Sequence, residues 1–431
     1  MTEEETHDDT RTENGEAVAD AGDAVADAGD AAESDDSLDL SQWPLLLATA
    51  GLALGLCFSN RLWTGIGKSF PAAAIVSCPL SPGIDQVLSG LVLLCCCLIV
   101  ANKFRLAGTI TLFASLFVLV LFDINRFQPW LYEYLIIIFL CSVPDNRSHL
   151  SIFERSHKKL QFISLLLISV YFFSGLEKLN WRFLTIVGPW LLGLSHSLTT
   201  GIENDMTVIW MSASMAVAET GLAVLLCFST TRMLGVALGT LMHATIFYVL
   251  GPFKMNTNPA VWPWNLTQIT LLIYCFMNIS DQPIFKINLK ESRLSAFVMT
   301  VVALVIPTLG LLQLVDPYPA FSFYTGDVPT GKIMFEKSTF EQLPKNVQTE
   351  CGFYDERTGL WYADTNDWLY LETGASAYPS FFCFRLEARK FAQDHPGQLV
   401  VLKLYSFPKL TKAARDHFEK FGEAAPANQL P

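Results

Sequence analysis

LQFISLLLISVYFFSGLEKLNWRF, residues 160–183, carries no charge before Glu177 and then sets Glu177, Lys178, Asn180 and Arg182 close together. At 1.5 Å per residue the uncharged run is about 26 Å long, close to the ~30 Å of a bilayer core. A helix of that length and composition reads as a membrane span that ends in an unusually polar turn.

Outward from this stretch, comparable runs lie near 44–60, 85–102, 107–122, 131–143, 206–229, 233–251, 265–280 and 294–315. The run 131–143 is short for a crossing, so the sequence predicts eight to nine spans. The fold class expected is an all-α polytopic membrane bundle over 41–316, with a small C-terminal α+β extramembrane domain over 317–431. Composition agrees: 51% of residues are hydrophobic and only 16% charged, where a soluble chain carries nearer a quarter charged.

The formal charge of −12 is local in origin. Residues 1–40 hold fifteen acids against one arginine and repeat AVADAGD at 17–23 and 24–30. Such a segment buries too little apolar area to offset chain entropy and reads as a disordered acidic tail. What remains is nearly neutral, which speaks against a nucleic-acid partner; the bilayer is the partner expected. Lys/Arg bias, strongest in DNRSHLSIFERSHKK (145–159), puts the N-terminus in the cytoplasm. Nine spans then place the C-terminal domain outside it, where a protein partner can dock.

In that domain, LYLETGASAYPSFFCFRLEARKFAQ suggests a strand followed by an amphipathic helix with Phe382, Phe384, Leu386 and Phe391 as apolar contacts. GQLVVLKLYSF (397–407) reads as a second strand. Cys351 and Cys383 are either a disulfide or two buried thiols. No His/Cys cluster has metal-binding spacing, so no metal is expected.

Three clusters fall on the predicted outer side. The first, DINRFQPWLYEY (123–134), sets Asp123 and Arg126 among aromatics, and charges at that depth are expected to pair with each other. The second holds Glu177, Lys178, Asn180 and Trp181. A lysine at a span end commonly snorkels to the headgroups, whereas a desolvated one becomes a usable base. The third is His243, inside a span, followed by PAVWPWN (259–265), whose Trp264 and Asn265 suit a pocket for a flat lipid-soluble molecule. An intramembrane histidine is a functional candidate, although one interhelical hydrogen bond would also satisfy it.

In order and spacing, LFDINRFQPWLYEY, YFFSGLEKLNW and LMHATIFYVLGPF resemble the HTTM membrane domain known from vitamin K-dependent gamma-carboxylase. The resemblance covers roughly 45–315. It implies that Lys178 is the base that deprotonates a reduced, vitamin K-like quinone and that His243 is the inward histidine of a later span. The carboxylase has an Asn-His pair where this chain reads Pro129-Trp130, and its C-terminal region is far longer, so the resemblance stops short of glutamyl carboxylation.

Two readings follow. In one, the chain is a quinone-linked membrane enzyme, with Lys178 and His243 catalytic and Asn180, Trp181, Asn265, Trp264, Asp123 and Arg126 holding the substrate. In the other, it is a non-catalytic DoxX-like scaffold whose outer domain binds a partner, and Lys178 with Glu177 is a structural pair.

Overall fold

The longest helix, Ile152–Glu177, is about 39 Å long at 1.5 Å per residue and stands at the centre of the molecule. A capping box starts it: Ser151 Oγ accepts from the Glu154 amide (3.2 Å), and the Glu154 carboxylate accepts from the Ser151 amide (2.9 Å). Four other helical segments are long and apolar enough to cross a membrane: Arg105–Phe122, Met206–Cys227, Arg232–Leu250 and Leu294–Leu311. Their apolar windows are 28–33% buried, against 83% for the central helix. The central helix is therefore a pillar, and the others turn an apolar face outward.

The computed structural model describes residues 39–76, 83–143, 151–192, 206–279, 284, 293–406 and 415–421. The tail expected over 1–40 lies outside these residues except for Asp39 and Leu40, and so do residues 145–150 of the 145–159 segment that set the orientation. Gln42–Phe58, Ile84–Val100 and Pro129–Ser142 are shorter apolar helices. Val261–Asn278 completes the bundle around the pillar.

Small residues bring the pillar and the Met206–Cys227 helix together. A Cβ on Gly175 would lie 2.3 Å from Thr220 Oγ1 and 2.6 Å from the Thr220 amide nitrogen, so only glycine allows this approach. Prolines coincide with local unwinding: π-helical turns at Phe183–Val187 and Val301–Val305 precede Pro189 and Pro307, whose rings cannot join a regular ladder.

The C-terminal region builds a five-stranded antiparallel sheet, ordered β2-β3-β1-β4-β5. The strands are β1 Thr330–Phe335, β2 Gly352–Asp355, β3 Leu360–Asp364, β4 Val400–Ser406 and β5 Arg415–Phe421. Ile333 at its centre faces Ala363 on one side and Leu402 on the other. Helices Thr365–Thr373 and Phe381–Asp394 pack against it through Trp368, Phe391 and Phe335.

The strand expected before the amphipathic helix is the Thr365–Thr373 helix instead. Asp364 caps its start by accepting from the Asn366 amide (3.0 Å), and Gly374 ends it in the left-handed region at φ 70°. Phe382, expected in the core, is 53% exposed, while Phe384 and Phe391 are buried.

Two connectors built on the buried carboxylates of Glu372 and Glu387 help to hold this sheet to the bundle. Glu372 accepts from the Ser69 and Phe70 amides (2.7 and 2.8 Å), and Trp368 meets Phe70 edge-on. Asn125 donates to Glu387 (2.9 Å) and accepts from the Tyr378 amide (2.8 Å).

Cys351 and Cys383 are free, not a disulfide. Cys351 precedes edge strand β2, while Cys383 Sγ faces Glu387 and Asn125 at the bundle contact. Asp123 and Arg126 also take partners other than each other. Asp123 turns to Lys68 and to the Ala73 amide, whereas Arg126 forks onto Asp85 (3.2 and 2.7 Å) and donates to the Leu62 and Leu119 carbonyls (3.0 and 2.9 Å). One turn of 3-10 helix, Ile124–Arg126, aims the two side chains at different segments.

Candidate functional site

The pillar ends beside a cavity of about 920 Å³ in the bundle, bounded by the pillar and the Met206–Cys227, Arg232–Leu250 and Val261–Asn278 helices. Phe323 and Tyr324, from the segment leading into β1, complete its wall. The wall is mostly apolar. Its polar groups include Ser174, Lys178, Glu219, Tyr171, His243, Asn265 and Gln268, most of them buried.

Lys178 does not snorkel. It is 7% exposed, and its ammonium donates to Glu219 (2.7 Å), to Ser174 Oγ (2.6 Å) and to the Ser174 carbonyl (3.3 Å). Ser174 lies one turn back on the pillar, and Glu219 is reached because Gly175 lets the neighbouring helix come close. The pairing of Lys178 with Glu177 expected of a scaffold is replaced by one with Glu219.

His243 is fixed at both ring nitrogens. Asn265 donates its amide to the Val261 carbonyl (2.9 Å), so its Oδ1 is left to accept from His243 Nδ1 (2.9 Å). In the neutral ring Nε2 then accepts from the Tyr171 hydroxyl (2.9 Å). Gln268 lies 3.4 Å from that hydroxyl and donates to Glu133 (2.5 Å), which also accepts from Trp264 Nε1 (2.8 Å). A continuous polar chain thus runs from Asn265 through His243 and Tyr171 toward Glu133.

Of the residues singled out in the sequence, Lys178, His243, Trp264 and Asn265 come together at this cavity. Asn180 does not: it donates to the Glu177 and Thr325 carbonyls (2.7 and 2.8 Å) and accepts from the Phe183 amide (2.9 Å), bracing the turn after the pillar. Trp181 follows on the same turn and is not among the residues lining the cavity. Asp123 and Arg126 belong to the connector beneath the sheet. None of these four lines the cavity.

Glu219, Tyr171, Ser174 and Gln268 were not singled out. Glu219 had a legible signal, an acid within a 22-residue apolar helix. Tyr171 had none, because a tyrosine inside an apolar run looks like packing.

A second cavity, of about 760 Å³, lies between the bundle end and the sheet. Val261, Trp264, Phe323 and Tyr324 line both cavities, so these side chains are the partition between them. Among the described residues no group of three or more His, Cys, Asp or Glu side chains is placed to hold a metal ion.

Compared with known proteins, the chain matches no family model, no curated protein and no solved structure.

Proposed function

We propose that this protein is a polytopic membrane enzyme of HTTM-like type, with eight to nine spans, that removes a proton from a weakly acidic hydroxyl of a lipid-soluble, quinone-type molecule. The observation that carries this reading is the Lys178–Glu219 pair at the polar part of a large apolar cavity. A purely structural ion pair needs no cavity beside it. The wall also fits a flat ring: Phe183, Trp264 and Phe323 supply apolar faces, and Lys178 supplies a donor for a ring oxygen.

In this reading Glu219 takes the hydroxyl proton. The O–H bond breaks, its electron pair stays on the oxygen, and the Lys178 ammonium holds the new oxyanion in a site screened from water. Lys178 is thus half of a proton-accepting couple and not a lone base. The Tyr171 oxygen, whose proton is given to His243 Nε2, is the acceptor available to a second ring hydroxyl. The N-terminus is cytoplasmic and the sheet domain extracytoplasmic in this proposal.

A second reading, a non-catalytic scaffold of DoxX-like type, is favoured by the edge strand β2. It leaves Phe353 and Tyr354 48% and 52% exposed, a surface suited to a protein partner.

Titration of the protein in nanodiscs with a reduced naphthoquinone decides between them. The enzyme reading expects saturable binding that is lost when both Lys178 and Glu219 are replaced by Met. Absence of binding by the unmodified protein, or equal binding by the doubly substituted one, removes it.

A further inference from the structure

The cavity is walled by the pillar on one side, but two of its lining helices turn the same side chains both to the cavity and to the outside. Ala218, Gly221 and Leu225 form one row on the Met206–Cys227 helix, at i, i+3 and i+7. Leu238, Leu241 and Thr245 form the facing row on Arg232–Leu250. Leu238 and Leu241 are 44% and 63% exposed. A helix of membrane length that exposes leucines faces hydrocarbon, so this side of the cavity meets the bilayer and not water.

Elsewhere the same two helices are shut tight. A Cβ on Gly235 would lie 3.0 Å from Leu226, and one on Gly239 would lie 3.2 Å from Leu222 and 2.8 Å from Leu272. Gly221 is different: a Cβ there would meet nothing within 4 Å. One pair of helices thus packs closely at two glycines and leaves open space at a third, which lies on the cavity wall.

We propose that the site is loaded sideways from the bilayer, through the opening between these two helices with Gly221 at its threshold, and that its ligand has a ring head and a hydrocarbon tail lying in that opening. This rests on the quinone-type reading above and adds a route and a shape to it. The head sits at Lys178 and Tyr171. From Glu219 to Leu225 the Met206–Cys227 helix rises about 9 Å, so the tail follows that row away from the polar end. The tail is held by apolar contact, because the opening offers leucine, alanine and glycine and the Thr245 hydroxyl donates to the Leu241 carbonyl of its own helix (2.8 Å).

The test uses protein in nanodiscs and two probes: a quinone with an isoprenoid tail, and the same ring without one. Gly221→Phe fills the threshold. Ala218→Phe fills the adjacent, exposed position and serves as the second variant, since an exposed site tolerates bulk during folding. Excluding two or three CH₂ groups from apolar contact weakens binding roughly tenfold or more. Both variants are expected to bind the tailed probe at least about tenfold more weakly, and the tail-less ring within about threefold of the unmodified protein. Unchanged affinity for the tailed probe in folded variants overturns the portal while leaving the site reading in place. Equal losses for both probes also overturn it, because the bulk would then occupy the head site. If the unmodified protein binds neither probe, the site reading falls, and the portal with it.

Discussion

Replacing Lys178 by Met, Glu219 by Met, and both together tests whether the polar end of the cavity is as dry as its geometry implies. At 2.7 Å, and with an effective dielectric constant near 20, the two charges attract by about 6 kcal/mol before desolvation is counted. Desolvation offsets most of that, so the intact pair contributes little net stability. Removing one partner is another matter, because the remaining charge keeps its burial cost without its counterion. Truncation of buried pairs typically costs 3–5 kcal/mol. The side chains here keep 9% and 13% exposure, which places each single substitution at the low end, about 3 kcal/mol. Two methionines together replace the pair by apolar volume and are expected to fall within about 1 kcal/mol of the unmodified protein. The coupling in the double-mutant cycle should therefore reach about 5 kcal/mol. Reversible SDS unfolding in mixed micelles, followed by tryptophan fluorescence, gives the four stabilities. Single substitutions that each cost less than about 1 kcal/mol would mean a hydrated pair and would refute the argument.

Other predictions concern the junction between bundle and sheet. Arg126→Lys keeps the charge but not the fork that reaches Asp85, Leu62 and Leu119 at once; a loss of about 2 kcal/mol or more is expected in the same unfolding assay. Glu387 is buried against Asn125, and burial, reinforced by the nearby Asp123 and only partly countered by Asn125 and Lys68, pushes its carboxyl from 4.5 up to about 8. The folded state thus holds a proton that the unfolded chain gives up near pH 4.5, so stability falls as pH rises from about 4.5 to 8, by up to about 5 kcal/mol in total. Glu387→Gln, which mimics the protonated form, is expected to flatten this dependence; melting curves at pH 6 and pH 9 check it, and an unchanged slope would count against the assignment.

How much of this was legible in the sequence depends on the range of the interaction involved. Apolar runs and their ends are local, so most helices could be read from hydropathy. The pillar's limit at Glu177 and the strand over 400–406 follow from neighbouring residues alone. Near 365–373 local reading failed, because the Asp364 cap and the Gly374 stop outweighed the strand-like LYLET. Pairing was less legible still. Asp123 and Arg126 stand three apart in sequence, yet they bind Lys68 and Asp85, because one short turn redirects them to segments brought near by the fold.

The sequence by itself determined that this chain is mostly helical and apolar, that a polar turn follows its central helix, and that Lys178 and His243 are out of place in such surroundings. Local composition and periodicity are enough for that. Only the tertiary structure decided that Lys178 meets Glu219, that His243 is held between Tyr171 and Asn265, and that Asn180 is a brace. Each of those facts depends on how closely two helices approach. At Gly175 that approach is set by the absence of a single Cβ.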